Sequence, residues 1–379
     1  MAGAQQSNLG VLEKAFWFTL NALERRLFSE NLIVSNLTPY EEIYRQGIMS
    51  VRHYLPLEES DIQVGEQVVP VRQQRHRVPL VLVPPLAATS MIFDLLPRRS
   101  LVRFLLAQGF DVYLVDWGEV TVKHADISLE TYVLEWMPAA LAAIRRHSGE
   151  EDLSLFSYCM GGLLALMYAA TSRDEHIRNM VTVASPVDMH QSGVAGRILT
   201  RVYRPVLLVG RLLNFSLMDL PSRYLHIPGR VNSLLFKLTN PIGSLTSYWD
   251  LLVNMWDREY VKEHTTLSSW FDDMVDYPGE TIKAMVVKMM LNNQMAKGRM
   301  RMGDQQARFE QISCSILAFA GDDDKLVSPR AAHKVLEIVS SEDKEFCVVP
   351  GGHAGVFGGS RAPENMWSVS ADWLSARSD

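Results

Sequence analysis

Cysteine is scarce in this chain, with three residues in 379: Cys159, Cys314 and Cys347. None sits in a CxxC pair, so the spacing suggests neither a zinc site nor a disulfide framework, and an odd, sparse count fits a reducing cytoplasm. Long apolar runs are also missing. The longest uncharged stretch, residues 79–93, contains Pro84 and Pro85 and reads as a strand followed by a turn. A membrane span would need ~20 apolar residues. The first apolar stretch is interrupted by Glu13 and Lys14 and has no basic region before it, so no signal peptide is expected. There is no basic run, and the net charge of -6 gives no general attraction to nucleic acid or anionic lipid. Internal repeats and low-complexity segments are absent.

What remains is an ordinary globular composition, 47% hydrophobic and 21% charged, in a chain long enough to bury a large core. Residues 9–28 carry Leu12, Phe16, Leu20, Leu23 and Leu27 at helical spacing. Such a stripe either packs on the main body or meets a partner or an apolar surface. An α/β rhythm follows. Pro79–Val83, Asp111–Asp116, Leu153–Phe156 and Met180–Ala184 read as strands. Ile92–Gln108 (with Gly109 as its stop), Leu129–His147 and Leu163–Ser172 read as the helices between them. Strands alternating with helices predict a mostly parallel sheet covered on both faces, with ligands at the carboxyl ends of the strands. The rhythm is lost over 186–310, a Trp- and Met-rich stretch expected to form a mainly helical cap. Its Met285, Met289, Met290, Met295, Met300 and Met302 suit either an acyl tunnel or core filling. The rhythm returns with strands at Ser315–Phe319 and Glu345–Val349 and helices at Arg330–Val339 and Pro363–Arg377. The expected organisation is an N-terminal helical segment (1–50), a core (51–185 and 311–379) and the inserted cap (186–310).

The chemistry concentrates at strand ends. Ser157-Tyr-Cys-Met-Gly161 has the form of a nucleophile elbow, a sharp strand-to-helix turn that lifts its central side chain above the sheet. The following helix N-terminus favours a thiolate at Cys159. A lone cysteine is usually buried and inert; this frame, with Gly161 and Gly162 after it, argues for a nucleophile. Gly321-Asp-Asp-Asp-Lys325 follows a strand and offers three carboxylates, any of which could be a solvated turn residue or a helix cap. His353, on the glycine-rich turn Pro350-Gly-Gly-His-Ala-Gly355, is the base candidate. The order nucleophile, acid, base is that of an α/β-hydrolase fold. Its oxyanion hole would use the backbone N–H of Met160 and one from the turn after the first core strand. Pro84 and Pro85 have no N–H, which leaves Leu86 or Ala87.

These residues resemble the polyhydroxyalkanoate synthases, specifically the short class III and IV catalytic subunits, from about residue 40 to the end. The matching pieces are Gly109-Phe-Asp-Val-Tyr-Leu-Val-Asp-Trp-Gly118, Tyr158-Cys-Met-Gly-Gly162, Ser185-Pro-Val-Asp188, Asp324-Lys-Leu-Val-Ser-Pro329 and Gly351-Gly-His-Ala-Gly355. The resemblance places the acid at Asp324, directly before x-Leu-Val. It implies an acyltransferase in which a Cys159–His353–Asp324 triad moves 3-hydroxyacyl groups from coenzyme A onto Cys159 and then onto the hydroxyl of a growing polyester. Coenzyme A is then the leaving group of a substrate; no cofactor and no metal is implied. A second synthase subunit, a homodimer and a cytoplasmic location at the surface of polyester granules are further implications. Two departures stand out. Ser157 occupies a position where the family usually has Gly, and Ala88-Thr-Ser-Met91 replaces a polar Asn-(Lys/Arg)-x-Tyr stretch. Two rival readings share the scaffold: a thioesterase or depolymerase that releases the acyl group to water, and a non-catalytic granule-associated homologue.

Overall fold

The structure, a computed structural model, describes residues 10–193, 217–237 and 248–379. Eight strands form the main sheet: β1 (Tyr40–Gln46), β2 (Met49–Tyr54), β3 (Leu80–Val83), β4 (Val112–Asp116), β5 (Leu153–Tyr158), β6 (Ile177–Val183), β7 (Ser315–Gly321) and β8 (Lys344–Val349). Their spatial order is β1-β2-β4-β3-β5-β6-β7-β8. From β4 to β8 every neighbouring pair is parallel, whereas β2 runs antiparallel to both β1 and β4. This is the α/β-hydrolase arrangement anticipated above.

Strand periodicity sorts the core into two layers. Val81 and Val83 of β3 point to one face, beside helices α3 (Met137–Ser148) and α4 (Met160–Ser172). Leu80 and Leu82 point to the other, beside α2 (Leu101–Ala107) and the C-terminal helices. All four are fully buried, which is why this strand reads as a continuous apolar run.

Two sequence expectations are corrected, and a third holds with a local irregularity. The helix expected over 92–108 is a 3₁₀ turn at Ser90–Phe93, a small ribbon pairing Asp94–Leu96 with Arg99–Ser100, and then α2. Pro97 interrupts the helical run because its ring removes an N–H and disfavours helix in the residue before it. Ser100 then caps α2 by accepting from the N–H of Arg103 at 3.1 Å. The N-terminal segment expected to be helical over 1–50 is not simply helical in its described part, 10–50. The helix α1 (Val11–Leu27) is followed by β1, the sheet's edge strand, which turns into β2 at Gly47 with φ +61°. Helix 129–148 contains a π-type turn at Thr131–Trp136, where the Met137 N–H reaches back to the Tyr132 carbonyl. Pro138, with no N–H to donate, follows directly.

Helix α1 is attached through its polar side. Asn21 is buried and donates to the Met255 carbonyl at 2.8 Å. Arg258 holds Asn21 and Glu24, and Arg25 meets His264. The stripe of Leu12, Phe16, Leu20, Leu23 and Leu27 is exposed.

Of the expected cap, 194–216 and 238–247 lie outside the described residues. The rest holds helices α5 (Gly229–Lys237) and α6 (Arg258–Asp272), a third over Gly279–Ala284 that runs into a π-type turn, and a hairpin of Arg299–Met302 with Gln305–Arg308. Met289, Met295, Met300 and Met302 are enclosed in the core layer that contains α3 and α4. Here methionine is packing material. Among the described residues, no helix is long and apolar enough to cross a membrane.

Candidate active site

Three loops at the carboxyl ends of β5, β7 and β8 meet above the sheet. The first is the elbow. Cys159 has φ 52° and ψ −119°, a conformation costing a non-glycine residue about 1–3 kcal/mol. The surroundings impose it: the Cys159 N–H donates to the Val183 carbonyl at 2.8 Å, and its own carbonyl accepts from Gly162 at 3.1 Å. The two glycines after it are required by space. A Cβ on Gly161 would lie 2.2 Å from the Val83 carbonyl oxygen, and one on Gly162 would lie 2.0 Å from Ser185 Oγ. Cys159 itself is partly buried and touches both core layers.

The unusual Ser157 is accommodated without strain. It is fully buried, and its hydroxyl donates to the Val181 carbonyl on β6 at 2.7 Å. A buried hydroxyl with a partner carries little penalty.

The loop after β7 separates its three carboxylates by partner. Asp322 accepts from the Gly351 N–H at 2.8 Å and so braces the histidine loop. Asp323 is exposed and pairs with Lys325. Asp324 is buried: Oδ1 accepts from the N–H groups of Leu326 (2.8 Å) and Val327 (2.9 Å), and Oδ2 meets His353 Nδ1 at 2.8 Å. His353 begins the short helix His353–Gly358 after β8. Its backbone carbonyl accepts from Tyr158 Oη at 3.0 Å, and Phe357 stacks on the Tyr158 ring at 4.4 Å between centroids.

With Nδ1 committed to Asp324, the other ring nitrogen is left for Cys159. Burial alone would strip the proton from His353. The opposing charge of the Cys159 thiolate, with hydrogen bonds to Asp324 and Cys159, outweighs it and raises the imidazole pKa to about 10. The imidazole is therefore held protonated more readily than that of a free histidine. The other two thiols differ. Burial pushes Cys314 up to about 12, and burial with the nearby Glu345 raises Cys347.

The turn after β3 lies against the start of α4, since the Gly161 Cβ position is 2.6 Å from the Pro84 carbonyl oxygen. Trp117 Nε1 donates to that carbonyl at 3.0 Å, and the Ala87 carbonyl accepts from Val275 at 2.9 Å. Ser90, within the divergent 88–91 stretch, donates to Asp116 at 2.9 Å. The Leu86 and Ala87 amides are thus held on a fixed turn beside Met160, whose N–H is in the first turn of α4 with no intrahelical acceptor.

Sequence reasoning missed the walls of the site. Tyr277 is buried, and burial and the Cys159 charge both raise its phenol, which stays neutral. Tyr158 behaves likewise. Phe236 of α5 has its ring 6.2 Å from that of His353 and 5.4 Å from that of Phe271 in α6. The approaches of Phe236 to His353 and of Tyr277 to Cys159 each cross more than 100 residues of sequence, and no local pattern signals them. A cavity of about 740 Å³ lined by Arg173, Asn179 and Cys314 lies near the beginnings of β6 and β7, away from these strand ends.

A family model described as "Serine aminopeptidase, S33" matches residues 98–357. Curated relatives span nearly the whole chain. The poly(3-hydroxyalkanoate) polymerase subunit PhaC of Haloferax mediterranei is 29% identical over 343 residues, 90% of this chain and 65% of that protein. The chain thus spans about two thirds of that relative's length. PhaC of Allochromatium vinosum is 28% identical over 79% of this chain and 81% of its own, and PhaC of Synechocystis sp. is 26% identical over 92% and 87%. Among solved structures, the monoacylglycerol lipase of Paleococcus ferrophilus aligns with a TM-score of 0.46 at 18% identity, covering 80% of this chain and 96% of that one.

Proposed function

The chain belongs to the serine aminopeptidase S33 family, and from that premise we propose that it is a cysteine-dependent acyltransferase that polymerises 3-hydroxyacyl groups from coenzyme A into polyhydroxyalkanoate. The observation that carries the reading is Cys159, in place of serine, at a strained elbow beside the buried His353–Asp324 pair, in a chain whose polymerase relatives align along most of its length. Cys159, His353 and Asp324 form the triad, and Met160 with Leu86 or Ala87 supplies the oxyanion amides.

In acylation, the Cys159 thiolate attacks the thioester carbonyl, and the tetrahedral oxyanion is held by the backbone amides. The C–S bond to coenzyme A breaks, and His353 returns its proton to the departing thiolate. In elongation, a chain hydroxyl attacks the Cys159 thioester while His353 takes its proton. An ester forms and the Cys159 thiolate is released. Asp324 fixes the imidazole orientation and offsets its positive charge. A thiol nucleophile suits this sequence because exchange between two thioesters is close to thermoneutral. The insertion acts as the cap, a role supported by Phe236 beside His353. The word "subunit" in the relatives' names supports a second polypeptide in the active assembly. A cytoplasmic enzyme at the granule surface fits this product.

The test is a time course with 3-hydroxybutyryl-CoA and a longer 3-hydroxyacyl-CoA, with and without a class III or IV partner subunit, beside Cys159→Ala. Free coenzyme A and insoluble polymer from the wild type, and neither from the variant, is the expected result. Coenzyme A with only monomeric acid would make it a thioesterase. No release under any condition would make it a non-catalytic homologue.

A further inference from the structure

A second cluster of chemistry-bearing side chains lies at the far edge of the sheet, at the opposite end of the strands from Cys159. Glu41 on the edge strand β1 is directly opposite His53 on β2, and His53 is opposite Tyr113 on β4. His147, in the last turn of α3, completes the group. One carboxylate oxygen, Glu41 Oε1, faces both imidazoles: His53 Nδ1 at 3.1 Å and His147 Nε2 at 3.4 Å. All three ligand atoms lie within 4.8 Å of one another.

From these contacts we propose that Glu41, His53 and His147 form a zinc site that ties the edge strand to the end of helix α3. Ligand atoms bound tetrahedrally at the usual zinc distances of about 2.0–2.1 Å are separated by about 3.3 Å. The two separations to Glu41 already have that size. The remaining edge, between the imidazoles, closes by rotation of His147, whose side chain is 34% exposed.

The outward-facing ring nitrogens are also provided for. His53 Nε2 meets Asp111 Oδ1 at 2.8 Å, and His147 Nδ1 meets Tyr113 Oη at 2.9 Å. A carboxylate behind a metal-bound imidazole fixes its tautomer and strengthens it as a ligand. The His53 ring has a carboxylate oxygen at each nitrogen. Two nitrogens and one carboxylate oxygen suit zinc better than magnesium or calcium. The half-exposed position of Glu41 and His147 leaves the fourth coordination place to water. No zinc motif marks the sequence, because the ligands come from residues 41, 53 and 147 and are gathered only by strand pairing and helix packing.

The experiment uses the full chain carrying Cys159→Ala, which removes the most reactive thiol as a competing ligand. After chelator treatment, zinc is titrated calorimetrically and cobalt is added separately for visible spectroscopy. One zinc per chain, a rise in Tm on zinc addition, and cobalt d–d bands of a four-coordinate site are expected. Glu41→Gln, His53→Ala and His147→Ala should each weaken zinc at least about tenfold, and Asp111→Asn should weaken it about 10–100-fold. His147→Ala alters only an exposed helix end, so its circular dichroism should match the parent while the zinc-induced rise in Tm is lost. Absence of zinc binding, or binding unchanged in the His53→Ala/His147→Ala double variant, would overturn the proposal.

Discussion

Asp324→Asn is the sharpest perturbation of the candidate triad, because the structure fixes what the amide must do. In the parent, Oδ1 accepts from two backbone N–H groups and Oδ2 accepts from His353 Nδ1. An asparagine has one oxygen and one NH₂. If the NH₂ faces Leu326 and Val327, donors oppose donors. The oxygen therefore stays there and the NH₂ turns to His353. Nδ1 must then present a lone pair, which moves the ring proton to the nitrogen facing Cys159, and that nitrogen can no longer act as a base. Losing a charge-assisted hydrogen bond costs about 1.5–3 kcal/mol, or about 10–150-fold in rate. Losing general-base catalysis is worth about 10²–10⁴-fold. The expected fall in the rate of coenzyme A release lies between about 10² and 10⁴, read by rapid-quench measurement of the first turnover. Tm should change little, because the two loop hydrogen bonds persist. Asp323→Asn is the control: the side chain is exposed and, among the described residues, pairs with Lys325, so activity should stay within about twofold. A variant at 324 with near-parental rate, or greater damage at 323 than at 324, would refute the assignment.

Other outcomes follow from the same geometry. Iodoacetamide at pH 7 should label Cys159 first, seen by peptide mass spectrometry, since burial raises the thiols of Cys314 and Cys347; preferential labelling of either would contradict this. The folded pKa of His353, about 10, lies above its unfolded value of about 6.5. Its protonation thus stabilises the fold fully below about pH 6.5, and that contribution is lost as pH rises towards 10. The Tm advantage of the wild type over His353→Gln should therefore shrink across that window, and a widening gap would reverse the sign. Gly161→Ala should abolish soluble protein or activity, because its Cβ meets two backbone carbonyl oxygens of the neighbouring turn. Ser157→Ala, which removes one buried hydrogen bond, should cost only about 0.5–1.5 kcal/mol by denaturant unfolding.

Much of the core was legible from local pattern. The apolar run at 80–83 gave a buried central strand, and the Cys159 elbow and His353 turn were marked by glycines that the backbone needs. Where the pattern misled, the cause was also local. Pro97 broke a run with helical periodicity, and the β1–β2 hairpin carried only Gly47 as its sign. The apolar stripe of α1 was visible, but its outward orientation was not. That orientation depends on Asn21, Glu24 and Arg25 finding partners more than 200 residues away.

The sequence by itself determined the order of the parallel strands and the main helices between them, and the placing of cysteine, acid cluster and histidine after successive strands. Each of these follows from periodicity and turn chemistry within a few residues. Only the tertiary structure decided the rest. It separated Asp324 from its two neighbours by burying one carboxylate against His353, and it gave Ser157 an acceptor on β6. It set Tyr277 and Phe236 around the sulfur and imidazole, and it gathered Glu41, His53 and His147 at the opposite edge. These are contacts between distant parts of the chain. Hydrophobic burial drives such segments together without encoding locally which polar groups will meet, so partner, distance and charge are fixed only once the sheet has closed and its faces are covered.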